Sequence, residues 1–138
     1  MAAPDPRNLA AVAAGGVVGS LGRYAVGLAL PHAPDEFPWA TLLVNVTGSF
    51  AMGLLVAWLV THPGAHPLAR PFVGVGVLGG WTTFSALTVD AIRLGGGHEQ
   101  LALLYVTATF VVGIVAVGFG LAIGARLWPD PRPVEDDS

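Results

Sequence analysis

Thr41, Asn45 and Ser49 recur at every fourth position in one apolar stretch of the chain, and Tyr105 and Thr109 repeat that step in another. Four-residue steps put side chains on one face of a helix. Each of these faces carries hydroxyl or amide groups, which donate O–H and N–H bonds. A third cluster, Thr82-Thr83-Phe84-Ser85, adds hydroxyls and a phenyl ring whose edge is weakly positive. Neutral donors of this kind can replace the water around a small, strongly hydrated anion without holding it on a fixed full charge. The same hydroxyls can instead bond their own helix backbone, and both readings stand on the residues alone. Arg23 is the one cation well inside an apolar stretch. There an arginine costs about 2.5–3.5 kcal/mol on insertion scales. It either anchors helix ends by donating to carbonyls or attracts an anion. Gly79-Gly80 precedes Trp81-Thr82-Thr83, and glycine is among the residues least committed to a helix. A break there would free carbonyl oxygens for an ion; the alternative is an intact helix whose glycines admit a close neighbour.

Other chemistries find little support. There are no cysteines, so thiolate metal sites and cysteine nucleophiles are excluded. His32, His62, His66 and His98 fall in loops or at the ends of apolar stretches and read as solvated. His62 and His66 are four apart, but Pro63, Gly64 and Pro67 disfavour a helical metal pair. Asp90 and Arg93, three apart, are expected to pair locally. No acid lies mid-stretch, which argues against a proton-coupled exporter. No enzymatic constellation emerges. A net charge of −3 with arginine but no lysine makes nucleic acid an improbable partner.

The elements that must position these groups are set by where charge is missing. Only 11% of the 138 residues are charged and 54% are hydrophobic, against about 25% charged in soluble domains. Residues 37–69, 71–89 and 100–125 carry no Asp, Glu, Lys or Arg, and 8–30 carries only Arg23. Each is long enough for the roughly 20 residues that cross a bilayer as helix. The reading is an all-α membrane protein with four transmembrane helices, at about 8–30, 38–61, 69–93 and 100–127, forming one domain over 1–128. Proline and glycine runs separate them. The segment 129–138, with three prolines and four acids, reads as a disordered polar tail. The first stretch has no basic leader beyond Arg7 and is interrupted by Arg23, so it reads as a span rather than a cleaved signal. Arg7, Arg70, Arg126 and Arg132 fall on one side and Arg93 on the other, which favours cytoplasmic termini by a narrow margin; insertion in both orientations is compatible. Gly120-x-x-x-Gly124 reads as a packing motif.

Three motifs then occur in order: Gly16-x-x-Gly19-Ser20-x-x-Arg23-Tyr24, Thr41-Leu42-x-Val44-Asn45-x-x-Gly48-Ser49-Phe50 and Gly79-Gly80-x-Thr82-Thr83-Phe84-Ser85. Each resembles the matching motif of the CrcB/Fluc fluoride channels, and the likeness extends over about residues 8–127. The resemblance implies a passive, fluoride-selective ion channel in the bacterial plasma membrane, surrounded by lipid, that exports cytoplasmic fluoride. It implies an antiparallel dual-topology dimer with two pores, and helix 3 broken mid-span. A structural sodium ion at the dimer centre would be held by main-chain oxygens of Gly79 and Thr82. On the same resemblance, Asn45, Thr41, Phe84, Ser85, Tyr105 and Thr109 belong to the pore, and Arg23 matches the arginine of helix 1.

One departure stands out. Where the family pattern continues Thr-Thr-Phe-Ser-Thr-Phe, this chain reads Thr82-Thr83-Phe84-Ser85-Ala86-Leu87. Leu87 has no ring edge to offer an anion, and Gly113 stands where the next polar site of helix 4 would be. The alternative to a self-sufficient homodimer is therefore a weakly conducting or non-conducting subunit of a heterodimer completed by a second homologue.

Overall fold

In the computed structural model, residues 5–129 are described; the polar-tail expectation for 130–138 lies outside them. The regular elements among the described residues are all helical, without strands. Four stretches are long and apolar enough to cross a membrane: Pro6–Ala29, Trp39–Thr61, Arg70–Gly95 and Glu99–Leu127.

Helix α1 (Pro6–Ala29) opens on Asp5, whose carboxylate accepts from the Arg7 amide at 2.9 Å, with Pro6 in the first turn. Pro31, Pro34 and Pro38 keep the connector to α2 (Trp39–Thr61) from continuing either helix. After the Pro63–Pro67 loop, the third span starts as a π-helical segment, π1 (Arg70–Leu78), followed by one turn of α3 (Gly79–Trp81). Thr82 and Thr83 are extended, with φ/ψ of −76°/158° and −152°/120°, before α4 (Phe84–Gly95) begins. The Thr83 hydroxyl caps α4 by accepting from the Ala86 amide at 3.1 Å. The interruption thus falls at the β-branched threonines; the glycine pair itself stays helical, and Gly80 permits a close approach to α1. A methyl group on Gly80 would lie 2.6 Å from the Gly16 carbonyl. Gly95-Gly96-Gly97 ends α4, and α5 (Glu99–Leu127) runs back through the bundle.

Two backbone contacts organise the packing. Along α1, side chains at Gly15 and Gly19 would strike the carbonyls of Phe72 and Val77 in π1. Along α2 and α5, Gly53 faces the Val117 carbonyl and Gly120 faces the Phe50 carbonyl, while Gly124 abuts Ala57. The Gly120/Gly124 motif is therefore a packing device. In lipid, where apolar side chains gain little by leaving the solvent, such close backbone approach supplies the dispersion contact that holds helices together. Most large apolar side chains accordingly point outward, Ile92 at 71% exposure and Ile114 at 68% among them. Those surfaces suit acyl chains.

Candidate functional site

The break in the third span is held open by α2. Asn45 donates from Nδ2 to the Thr83 carbonyl at 3.0 Å and accepts at Oδ1 from the Thr83 amide at 2.7 Å. An unbroken helix would send that Thr83 N–H to the Gly79 carbonyl. Because Asn45 takes it, the Gly79 oxygen is left without its helical donor. On the other side of the break, Arg23 Nη1 donates to the Thr82 carbonyl at 3.0 Å. The Thr82 hydroxyl donates to Leu78 O at 3.0 Å, and the Trp81 indole donates to the Thr47 hydroxyl at 2.9 Å. The Thr83 hydroxyl lies 3.2 Å from that of Ser85. Polar side chains from α1 and α2 thus satisfy the Thr82 carbonyl and both backbone groups of Thr83, as an apolar surrounding demands, while the Gly79 oxygen keeps no helical donor.

The break opens on a groove of about 460 Å³ on one face of the bundle. Asn45, Gly79, Thr82, Phe84, Leu87 and Thr109 all line it. Phe84 stands 71% exposed there, whereas Leu87 is buried in its wall. Gly113 lies opposite Ser49, whose hydroxyl would be 3.5 Å from a methyl at that position. Asn45 has one amide N–H beyond its bond to Thr83. Thr109 has no free proton, since its hydroxyl donates to its own helix at Tyr105 O, 2.8 Å away. Ser85 lies at the exposed edge beside Thr83, outside the groove lining.

Thr41 and Tyr105 are one helical turn further along their helices, inside the bundle. The Thr41 hydroxyl donates to Asp90 Oδ2 at 2.7 Å. Tyr105 is fully buried; its hydroxyl stands beside Thr41 and Asp90 without a hydrogen-bond partner of adequate geometry. Its ring packs on Leu87 and Leu94 and meets Phe37 edge-on at 5.4 Å. These residues of α2, α4 and α5 follow one another as a track, from Ser49 and Gly113, through Asn45, apolar Leu87 and Thr109 in the groove, to Thr41, Asp90 and Tyr105 inside the bundle.

Two expectations are corrected. Asp90 does not pair with Arg93: Asp90 turns into the bundle at 7% exposure, where Thr41 and His32 meet its carboxylate, while Arg93 points outward. Nor is His32 a freely solvated loop histidine. Its Nε2 lies 3.6 Å from Asp90 Oδ1, with the imidazole 24% exposed. Thr83, read from the sequence as a hydroxyl donor, engages Asn45 through both backbone groups, and Asp90, read only as a local partner of Arg93, joins the site through Thr41. Asp90 could have been found three positions after Leu87, on the same helical face. His32 had no such signal, since it arrives from a connector.

The family model for CrcB-like protein, Camphor Resistance (CrcB), matches residues 10–121. A "Fluoride-specific ion channel FluC" of Agrobacterium fabrum is 46% identical over 123 residues, covering 88% of this chain and 98% of the relative. A protein of that printed name from Rhizobium meliloti is 48% identical over 114 residues, covering 81% and 91%. "Fluoride-specific ion channel FluC 2" of Thermobifida fusca is 45% identical over 120 residues, covering 86% and 89%. The matched region runs from α1 into the last turns of α5 and contains the whole track, from Thr41 to Gly113. A multi-pass membrane protein matched over that region, with relatives similar across nearly their full length, belongs to the CrcB family.

Proposed function

We propose that this chain forms a passive, fluoride-selective channel in which two antiparallel copies meet across the groove. The observation that carries the reading is the lateral opening of Asn45, Thr83 and Phe84 onto one face of the bundle. Polar groups facing acyl chains are costly, so this face needs a protein cover. A second copy brings the same groove and the same donors, as a self-complementary interface does. The relatives' printed names supply the ion.

In this reading fluoride exchanges water for the free Asn45 N–H, the edge of the Phe84 ring and the Tyr105 hydroxyl, with Ser85 at the exposed rim. Thr41 and Thr109 line the path with their protons already engaged. Leu87 is apolar wall. No charged side chain of the groove traps the ion, which permits rapid exit. Hydrogen fluoride crosses membranes as the neutral acid and dissociates inside, so a negative-inside potential drives the anion out through an open path. No coupling proton or nucleotide is required.

A sodium ion fits the residues at the break. The Gly79 carbonyl lacks its helical donor, and the Thr82 carbonyl keeps a second lone pair beyond its bond from Arg23. Unwound main-chain oxygens of this kind suit an alkali cation. Gly79 and Thr82 of both copies would hold it, and its charge would favour anions in the flanking paths.

The test is fluoride efflux from liposomes containing the purified chain alone, under a valinomycin-set potassium potential, with chloride as control. Fast fluoride loss without chloride loss is expected. No fluoride loss from a folded, monodisperse sample overturns the self-sufficient channel.

A further inference from the structure

A carboxylate near an anion path is an obstacle, and Asp90 lies buried beyond the groove, bonded to Thr41 one helical turn from Asn45. The groups that face it come from three elements. Thr41 of α2 donates to Oδ2 at 2.7 Å, the Tyr105 hydroxyl of α5 stands alongside, and His32 of the α1–α2 connector lies 3.6 Å from Oδ1. Arg93, on the same helix as Asp90, points outward. The other charges of the connector are engaged elsewhere or exposed: Glu36 accepts from the Ala33 amide at 2.9 Å, and Asp35 lies at the surface. Among these side-chain types, imidazole is the one whose charge changes in the neutral pH range. It is partly exposed, so protons reach it, while Asp90 and Tyr105 are buried.

We infer that the His32–Asp90 pair makes fluoride conduction dependent on pH, with His32 in its cationic form cancelling the Asp90 charge at the end of the path. The inference rests on the fluoride reading above. With His32 neutral, an ionised Asp90 leaves one uncompensated negative charge beside the Tyr105 hydroxyl, the last buried donor of the track. With His32 protonated the pair is neutral as a unit, and the hydroxyl is free to meet an anion. Acidification is also the condition that loads a cell with fluoride, because it raises the fraction of the permeant neutral acid. A unit charge acting across about 10 Å of protein corresponds to roughly a tenfold change in rate.

The test measures fluoride flux in liposomes between about pH 8 and about pH 5.5, the range over which histidine titrates. Loss from protein-free liposomes is subtracted at each pH, which removes leakage of the neutral acid. Wild-type flux is expected to rise about tenfold on acidification. His32→Gln should hold the low value throughout, and His32→Lys should hold the high value. Asp90→Asn, which keeps an acceptor for Thr41, should also give high flux without pH dependence. All variants are checked for a monodisperse elution profile. Wild-type flux that is flat with pH, or a pH response that survives in His32→Gln, overturns this inference and leaves the channel reading intact. No wild-type flux at any pH overturns both.

Discussion

Asn45 grips both backbone groups of Thr83, through a donated bond of 3.0 Å and an accepted bond of 2.7 Å, and so fixes the point at which the third span leaves its helix. One amide side chain thereby holds the break and keeps its remaining N–H for the groove. An amide suits both tasks because it is donor and acceptor without charge.

Asn45→Ala should therefore damage the fold as well as the path. It leaves the Thr83 amide and carbonyl unpaired in an apolar surrounding, at about 1–3 kcal/mol for each unsatisfied group. A lower unfolding temperature in detergent, together with at least tenfold lower fluoride flux, is expected. Asn45→Asp should do the same, since a carboxylate cannot donate to the Thr83 carbonyl.

Sodium removal tests the carbonyl pair at Gly79 and Thr82. Purification and reconstitution with N-methylglucamine in place of sodium should lower fluoride flux several-fold, and sodium added back should restore it. Flux that is indifferent to sodium at every step would count against the proposed cation.

Gly120 tests the contact between α2 and α5. A side chain there would strike the Phe50 carbonyl, a backbone atom that cannot rotate away. Gly120→Leu is expected to abolish monodisperse protein. Gly118→Leu is the control, because a methyl there would meet nothing within 4 Å. Size-exclusion profiles of the two variants decide the point.

Restoring the donor missing at Gly113 should raise flux. The site accepts a serine, because a methyl would rest 3.5 Å from the Ser49 hydroxyl, an ordinary contact. Gly113→Ser is expected to increase fluoride efflux with little change in stability. Leu87→Phe should raise flux further at some cost in stability. Leu87 is 5% exposed and packs on Leu94 and Tyr105, so the larger ring overpacks by about 1–3 kcal/mol. Unchanged flux in a well-folded double mutant would remove Leu87 and Gly113 from the account of conduction.

The four spans were legible in the chain because a bilayer imposes a one-dimensional rule. A stretch long enough and free of charge crosses, and proline or glycine runs end it. The expected bounds fall within a few residues of Pro6–Ala29, Trp39–Thr61, Arg70–Gly95 and Glu99–Leu127. The four-residue steps of Thr41-Asn45-Ser49 and Tyr105-Thr109 were legible for a similar reason, since helical periodicity is local. Pairing across helices obeys no such rule. Asp90 has a charged neighbour three positions away in sequence, yet its partners are Thr41, 49 residues distant, and His32 from a connector. The Thr83 backbone finds Asn45 38 residues away. Those choices follow from which faces the glycine contacts at Gly15, Gly19, Gly53 and Gly120 bring together, and from the demand that every polar group buried in an apolar medium find a partner wherever the packing provides one. Local pattern specifies the helices and the faces that carry donors. Only their assembly, driven by close backbone approach in lipid, selects which donor meets which acceptor.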